Sequence, residues 1–257
     1  MNMAAVKGCS ALVTGANRGL GLEMVKQLVE AHCSIVFAGC RDPDGANSEA
    51  LRELAKKHPG VVTLVRLDVA DPSSIKESVK KVSSLLGNSG LNLLVNNAAV
   101  LQQKTMLNAT VEEMQDTFNT NVIGPFLVTR EFLPRLRSAA KASDKPGMSC
   151  DKAAIINISS DTASLSLVHV EKAFPLFPYS ISKAALNMLT AHTAMELKED
   201  EILCVSIHPG WVKTDMGGDR APLTPRDSVA GLLHVVSSLT EKEHGGFMDH
   251  TGKTMPW

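Results

Sequence analysis

A chain of 257 residues with 26 basic and 27 acidic side chains is long enough for one core of ordinary size and short for two, so a single domain over 1–257 is expected. The near-neutral balance, with no block of Lys or Arg, excludes a general nucleic-acid binder. No stretch approaches the roughly eighteen apolar residues of a membrane span, and Met1 to Ser10 runs straight into an apolar strand with no room for a leader, so a soluble, cytoplasmic protein without membrane contact is expected.

Short apolar runs alternate with longer segments of helical period, the pattern of βαβ units in an α/β fold with a parallel sheet. The first strand is predicted at Ala11 to Thr14 and is followed by Thr14-Gly15-Ala16-Asn17-Arg18-Gly19-Leu20-Gly21, which opens a helix over Leu20 to Ala31. Glycines at 15, 19 and 21 permit a tight turn, close approach of the backbone to a diphosphate and close helix-on-sheet packing, and the helix N-terminus offers N–H groups to the anion. Placed between the first strand and the first helix, this loop predicts a dinucleotide site.

The second strand, Ser34 to Gly39, ends in Cys40-Arg41-Asp42. An acid at that point binds the ribose hydroxyls of NAD, whereas arginine pairs with a 2′-phosphate. Arg41, joined by Arg18 from the glycine loop, therefore favours NADP(H), while Asp42 would favour NAD if it faced the ribose. A helix over Ala46 to Lys57, a strand over Val61 to Arg66, a helix over Pro72 to Leu86 and a strand over Leu91 to Asn96 follow. Thr110 and Glu113 form a capping box for a long helix over Val111 to Ala140, in which Gly124-Pro125 should produce a kink.

Strands at Ala154 to Ser159 and Cys204 to His208, a helix over Tyr179 to Glu199, another over Pro225 to Leu239 and a seventh strand near Gly246 to His250 complete the series. The five cysteines are odd in number and lack CxxC spacing, so neither a disulfide framework nor a metal site is indicated. His208, before Pro209-Gly210, could reach a site at the strand ends, but a structural role is expected for it.

Tyr179 is the chain's one tyrosine and stands four residues before Lys183. On one helix face the two would lie side by side, and a neighbouring cation is expected to move the phenol toward neutrality. Such a pair is an acid/base device.

These motifs, in this order, resemble the short-chain dehydrogenases/reductases, with similarity to the sniffer and C-factor-like carbonyl reductases in Pro209-Gly210-Trp211-Val212-Lys213-Thr214-Asp215-Met216 and in the last stretch from Gly245 to Trp257. The resemblance covers Cys9 to about Asp215. It implies a Rossmann-like doubly wound sheet of about seven strands, NADP(H) as cofactor, and reduction of small aldehydes, ketones or quinones. It implies Tyr179 as general acid, Lys183 as the cation that lowers its pKa and binds the nicotinamide ribose, Ser160 as the group that polarises the carbonyl, and Asn121 as the holder of a water linking Lys183 to solvent. Asp68 and Val69 would meet the adenine. Gly15, Asn17, Arg18, Gly19, Leu20, Gly21, Arg41, Asn97, Ala98, Pro209, Gly210, Val212 and Thr214 would line the rest of the cofactor. A homodimer through the helices carrying Asn121 and Tyr179 is a further implication.

The chain departs from the family in two places. It has Asn96-Asn97-Ala98-Ala99 where glycine usually ends the motif, which would cost stability if that residue required a positive φ. The separation from Ser160 to Tyr179 is longer than usual, and the extra residues, including His169-Val170-Glu171-Lys172 and Phe174 to Pro178, should loop out beside the substrate pocket. The short Gly-rich passage from Asp215 to Pro225 predicts an open pocket with relaxed specificity. Competing readings are an NADP(H) sensor without turnover, a signalling protein, and an enzyme running toward alcohol oxidation. A sensor has no need for Ser160, Asn121, Tyr179 and Lys183 together.

Overall fold

The computed structural model describes residues 6–168 and 175–257. The expectations placed on 1–5, on His169-Val170-Glu171-Lys172 and on Phe174 lie outside the described residues.

The strands β1 (Ser10–Thr14), β2 (Ile35–Cys40), β3 (Val62–Arg66), β4 (Leu93–Asn96), β5 (Ala154–Ile158), β6 (Leu203–His208) and β7 (Phe247–Asp249) form one sheet in the order β3-β2-β1-β4-β5-β6-β7. Every pairing is parallel. Alternate residues of each strand serve opposite layers, as the pleat requires. In β1, Ala11 and Val13 pack into the core beneath α1 (Gly19–Glu30), α2 (Glu49–Lys57) and α7 (Pro225–Ser238), with Met24, Leu51 and Leu232. Leu12 packs into the opposite core with Ile75 of α3 (Pro72–Leu86), Phe132 of α5 (Gly124–Ala142) and Ala194 of α6 (Phe177–Leu197). Because both faces are covered, the strands read as continuous apolar runs.

Boundaries differ from expectation where a local hydrogen bond diverts the chain. β4 begins at Leu93 and not at Leu91, because the Leu91 N–H donates to Arg135 O of α5 at 2.9 Å instead of joining the ladder. The helix predicted over Val111 to Ala140 comprises α4 (Val111–Phe118), a π turn at Asn119–Ile123, and α5, which runs to Ala142. The Thr110/Glu113 capping box opens α4 as predicted, with both reciprocal bonds made. The expected kink at Gly124-Pro125 takes the form of that π turn. The Gly124 N–H reaches back five residues to Asn119 O, and Pro125 has no N–H to give. Gly124 is itself tightly packed, since a Cβ there would lie 3.0 Å from Val69 Cβ.

Chain connections leave β1 in opposite directions toward β2 and β4, so the topological switch point falls between the carboxyl ends of β1 and β4. Ligands of open α/β sheets bind outside such a point.

Candidate active site

The carboxyl ends of β1 and β4 are stitched together by side chains. Thr14 Oγ1 accepts the N–H groups of Asn97 and Ala98 at 3.0 Å each, and Asn97 Nδ2 donates to Thr14 O at 2.8 Å and Gly15 O at 3.2 Å. The glycine loop closes on itself so tightly that a Cβ on Gly21 would stand 2.1 Å from Gly15 O. Gly15 and Gly19 occupy the left-handed region, at φ +64° and +53°. Arg18 is the N-cap of α1 and gives its first turn no side-chain capping bond, which leaves helix N–H groups to face an anion. Leu20 packs against the core, and Asn17 Nδ2 donates to Asn47 O at 3.3 Å. This cradle, closed to side chains by its own backbone, fits a diphosphate.

Arg18 and Arg41, the arginines expected near the adenosine ribose, both lie at the surface at the end of β2. The Arg18 guanidinium is ion-paired with Asp215 at 2.6 Å, both largely exposed. Arg41 is exposed, and its carbonyl accepts from Arg66 at 3.1 Å. Asp42 lies 3.7 Å from Arg66, which also pairs with Asp44 at 2.9 Å. The Asp68 carboxylate turns back on the Ala70 N–H at 3.0 Å, and Val69 is buried against Gly124. Ala99 is not among the described residues with positive φ, so the alanine that replaces the usual glycine is unstrained.

The chemically active side chains come from the ends of β5 and the first turns of α6. This helix begins at Phe177, with Pro178 in its first turn, and it turns a polar face inward: Tyr179, Ser182, Lys183, Asn187 and Thr190 are all buried. Ser182, Lys183, Asn187 and Thr190 are each hydrogen-bonded to their own helix or to the sheet and the residue that follows β5. Ser159 Oγ donates to Asn187 Oδ1 at 2.7 Å, while Asn157 Nδ2 and Ser206 Oγ each donate to Thr190 Oγ1 at 2.8 Å. These bonds set the position of α6 on β5 and β6, and with it the position of Tyr179 and Lys183 over Ser160.

The Ser160 hydroxyl neighbours the buried phenol of Tyr179 and pulls its pKa down. Lys183 Nζ sits 5.6 Å from the centre of the Tyr179 ring and donates to Ile158 O at 2.7 Å. The expected fall in the tyrosine pKa is not found here. Burial pushes Tyr179 up to about 12, against the opposing pull of the Ser160 hydroxyl and helped by the Asp161 charge. Burial also takes Lys183 down to about 7. The reason is common to both: desolvation disfavours each charged form, and the ammonium is directed to a backbone carbonyl.

Asn121 is fully buried in the π turn and its side chain is committed. Its Oδ1 accepts the Val100 N–H at 2.9 Å, while Nδ2 donates to Val100 O at 2.9 Å and to Ser182 Oγ at 3.0 Å. The expectation that this side chain would hold a water is therefore corrected. Pro125 stands four residues on, where an α-helix would supply the donor to the Asn121 carbonyl.

On the remaining side, Pro209 O accepts from Ser228 Oγ at 2.6 Å, and Gly210 has φ +81°. Val212 is buried, and Thr214 Oγ1 accepts the Gly217 N–H at 3.1 Å in the short passage toward α7. A cavity of about 340 Å³ lies under this passage, with Trp211, Met216 and Gln103 in its walls. None of Asn121, Ser160, Tyr179 and Lys183 lines it.

Thr14, Ser182 and Asp161 were not singled out from sequence, since hydroxyls and acids of this kind carry no local signal. Asp161 follows Ser160 directly and contacts His208, which does approach the site. Four of the five cysteine thiols, at 9, 33, 150 and 204, are pushed by burial up to about 11 or 12, which makes them poor nucleophiles. Among the described residues, no group of three His, Cys, Asp or Glu could hold a metal ion, and no helix is long and apolar enough to cross a membrane.

With the fold and these residues in place, the chain is assigned to a family: residues 10–223 match the model described as short chain dehydrogenase, and the protein belongs to it. It is an oxidoreductase with a site for a nucleotide cofactor, built for a small-molecule substrate. It is similar to the NADPH-bound carbonyl reductase from chicken fatty liver, at 45% identity and a TM-score of 0.93, over 98% of this chain and 100% of that one. The carbonyl reductase Sniffer of D. melanogaster is 34% identical with a TM-score of 0.91 over the same shares. The C-signal protein of Myxococcus xanthus is 33% identical over 65% of this chain and 93% of its own. The expected similarity to sniffer and C-factor-like proteins therefore holds.

Proposed function

We propose that the protein reduces small aldehydes, ketones or quinones with NADPH, and that Tyr179 is the general acid. The observation that carries this reading is the buried phenol beside Ser160 with the Lys183 amine over its ring. Bound NADPH would supply the hydride. Tyr179, with its pKa raised to about 12, holds its proton across the physiological range and is ready to deliver it to a carbonyl oxygen. As the phenolate forms, Lys183 becomes the nearby cation that stabilises it, in a site where charge is weakly screened. Ser160 orients the carbonyl by hydrogen bonding. The Asn121 carbonyl holds a water that returns a proton toward Lys183, which also binds the nicotinamide ribose. Tuned proton transfer of this kind contributes about a hundred- to ten-thousand-fold in rate.

The preference for NADPH is supported by two features at the end of β2. Asp42, the acid that would select NAD, lies toward Arg66, and Arg18 and Arg41 are both exposed there. Asp68 and Val69 would meet the adenine, Gly15 to Gly21 with Asn97 and Ala98 the diphosphate side, and Pro209, Gly210, Val212 and Thr214 the carboxamide and diphosphate. Half-exposed Trp211 and Met216 beside the short passage support a pocket of relaxed specificity. Exposed Ile123 and Phe126 at the π turn and α5, with Met188 on α6, support a two-fold dimer through these elements.

The test follows oxidation of NADPH, and separately NADH, against a panel of aldehydes and quinones, with Tyr179→Phe as control. Consumption of NADPH that is lost by about a hundredfold or more in the variant is expected, with dinucleotide binding retained. Tight binding of NADPH without turnover of any carbonyl would overturn the reading in favour of a sensor.

A further inference from the structure

On the reading that Ser160 and Tyr179 serve carbonyl reduction, we propose that Asp161 and His208 form a positioning pair that controls where the Ser160 hydroxyl directs its proton. Asp161 opens the short turn Asp161–Ala163 that follows β5, and His208 ends β6. The Asp161 N–H donates to His208 Nδ1 at 3.1 Å. A ring nitrogen that accepts a hydrogen bond carries no proton, so in neutral His208 the proton is on Nε2. That atom is 3.6 Å from Asp161 Oδ2. The other carboxylate oxygen, Oδ1, accepts the Ser160 hydroxyl at 3.0 Å and the Thr162 N–H at 2.8 Å.

Ser160 Oγ itself accepts from the Thr162 N–H at 3.2 Å and the Thr162 hydroxyl at 3.0 Å. A hydroxyl has one proton to give, and here Asp161 holds it. A substrate carbonyl that needs that proton must compete with a carboxylate, the stronger acceptor. The strength of the competitor depends on His208. Burial and three groups bear on this imidazole: burial, the largest influence, and His250 keep it neutral, Asp161 and Asp249 pull the other way, and the balance is toward neutral. Protonation in acid falls on Nδ1 and breaks its bond from the Asp161 N–H, and the imidazolium beside Oδ2 draws negative charge away from Oδ1 and weakens its hold on Ser160. The serine proton is then released to the carbonyl. Asp161 also acts on the general acid, since its charge favours protonated Tyr179. Neither residue touches the reacting atoms, and both act through Ser160 and Tyr179.

The experiment is a pH profile of kcat and KM for NADPH-dependent reduction of a small aldehyde in the wild type, Asp161→Asn and His208→Asn. Asparagine at 208 keeps an acceptor for the Asp161 N–H but does not titrate. In the wild type, kcat should rise by about tenfold as pH falls through the titration of His208, the effect of one charge-assisted hydrogen bond released to the substrate, with KM little changed. His208→Asn should lack that rise. Asp161→Asn should lack the His208 step and stand at the higher level, with its basic limb moved to lower pH because the charge that favours protonated Tyr179 is gone. A wild-type profile with no acid-side rise overturns the pairing without recourse to any variant, and so do two variants that lose activity with the profile unchanged in shape. If Tyr179→Phe abolishes turnover while these profiles match the wild type, the reductase reading stands and the positioning pair falls. Absence of turnover in the wild type overturns both.

Discussion

Lys183→Met should make the protein more stable at neutral pH while abolishing its activity, and the gain should vanish as pH rises. Lys183 is 2% exposed, and burial takes it from the ordinary 10.5 to about 7, a displacement equivalent to roughly 5 kcal/mol between the solvated and buried ammonium. Between these two values the unfolded chain binds more protons than the folded one, so the lysine's contribution to stability rises with pH up to 10.5 and is lost as pH falls toward 7. The slope approaches about 1.4 kcal/mol per pH unit. Methionine removes that penalty but leaves the Ile158 carbonyl, which accepts from Nζ at 2.7 Å, without its partner, at a cost of about 1–3 kcal/mol. The variant should therefore be about 2 kcal/mol more stable near pH 7, or roughly 4–8 °C in Tm, and less stable than the wild type by about pH 10. Tyr179, raised to about 12, reverses the trend only above pH 10, where the unfolded phenol ionises first. Thermal melts of both proteins from about pH 6 to pH 10 are the assay, since melting temperature reports the difference directly. Parallel curves over that range, or a variant less stable at pH 7, would refute the reasoning.

Two further outcomes follow from the cofactor side. Gly21→Ala places a methyl 2.1 Å from Gly15 O; with backbone as the obstacle, it should cost about 1–3 kcal/mol in a thermal melt and abolish dinucleotide binding measured by quenching of intrinsic fluorescence. Arg18→Ala breaks only an exposed ion pair with Asp215, so stability should change by less than about 0.5 kcal/mol. Titration should nevertheless show NADPH affinity falling about tenfold or more with NADH affinity unchanged, the loss of one charge-assisted contact.

Elements whose signal is local were legible in the chain. The seven strands and the glycine loop follow from runs and periods a few residues long, and Tyr179 with Lys183 follows from spacing on one helix. The capping box at Thr110 and the break near Gly124-Pro125 are local too, although the sequence could not say that the break is a π turn or that it commits the Asn121 side chain to Val100. What the tertiary structure decided depends on partners distant in sequence. α6 is polar on its buried face because the sheet supplies Ser159, Asn157 and Ser206 to its Asn187 and Thr190, a matching no helical period reveals. Arg18 meets Asp215 across 197 residues, and Asp161 meets His208 across 47. The direction of the Tyr179 pKa was likewise outside the sequence: adjacency to Lys183 argues for a fall, but desolvation is a property of everything packed around the phenol, and in the folded chain it is the larger effect.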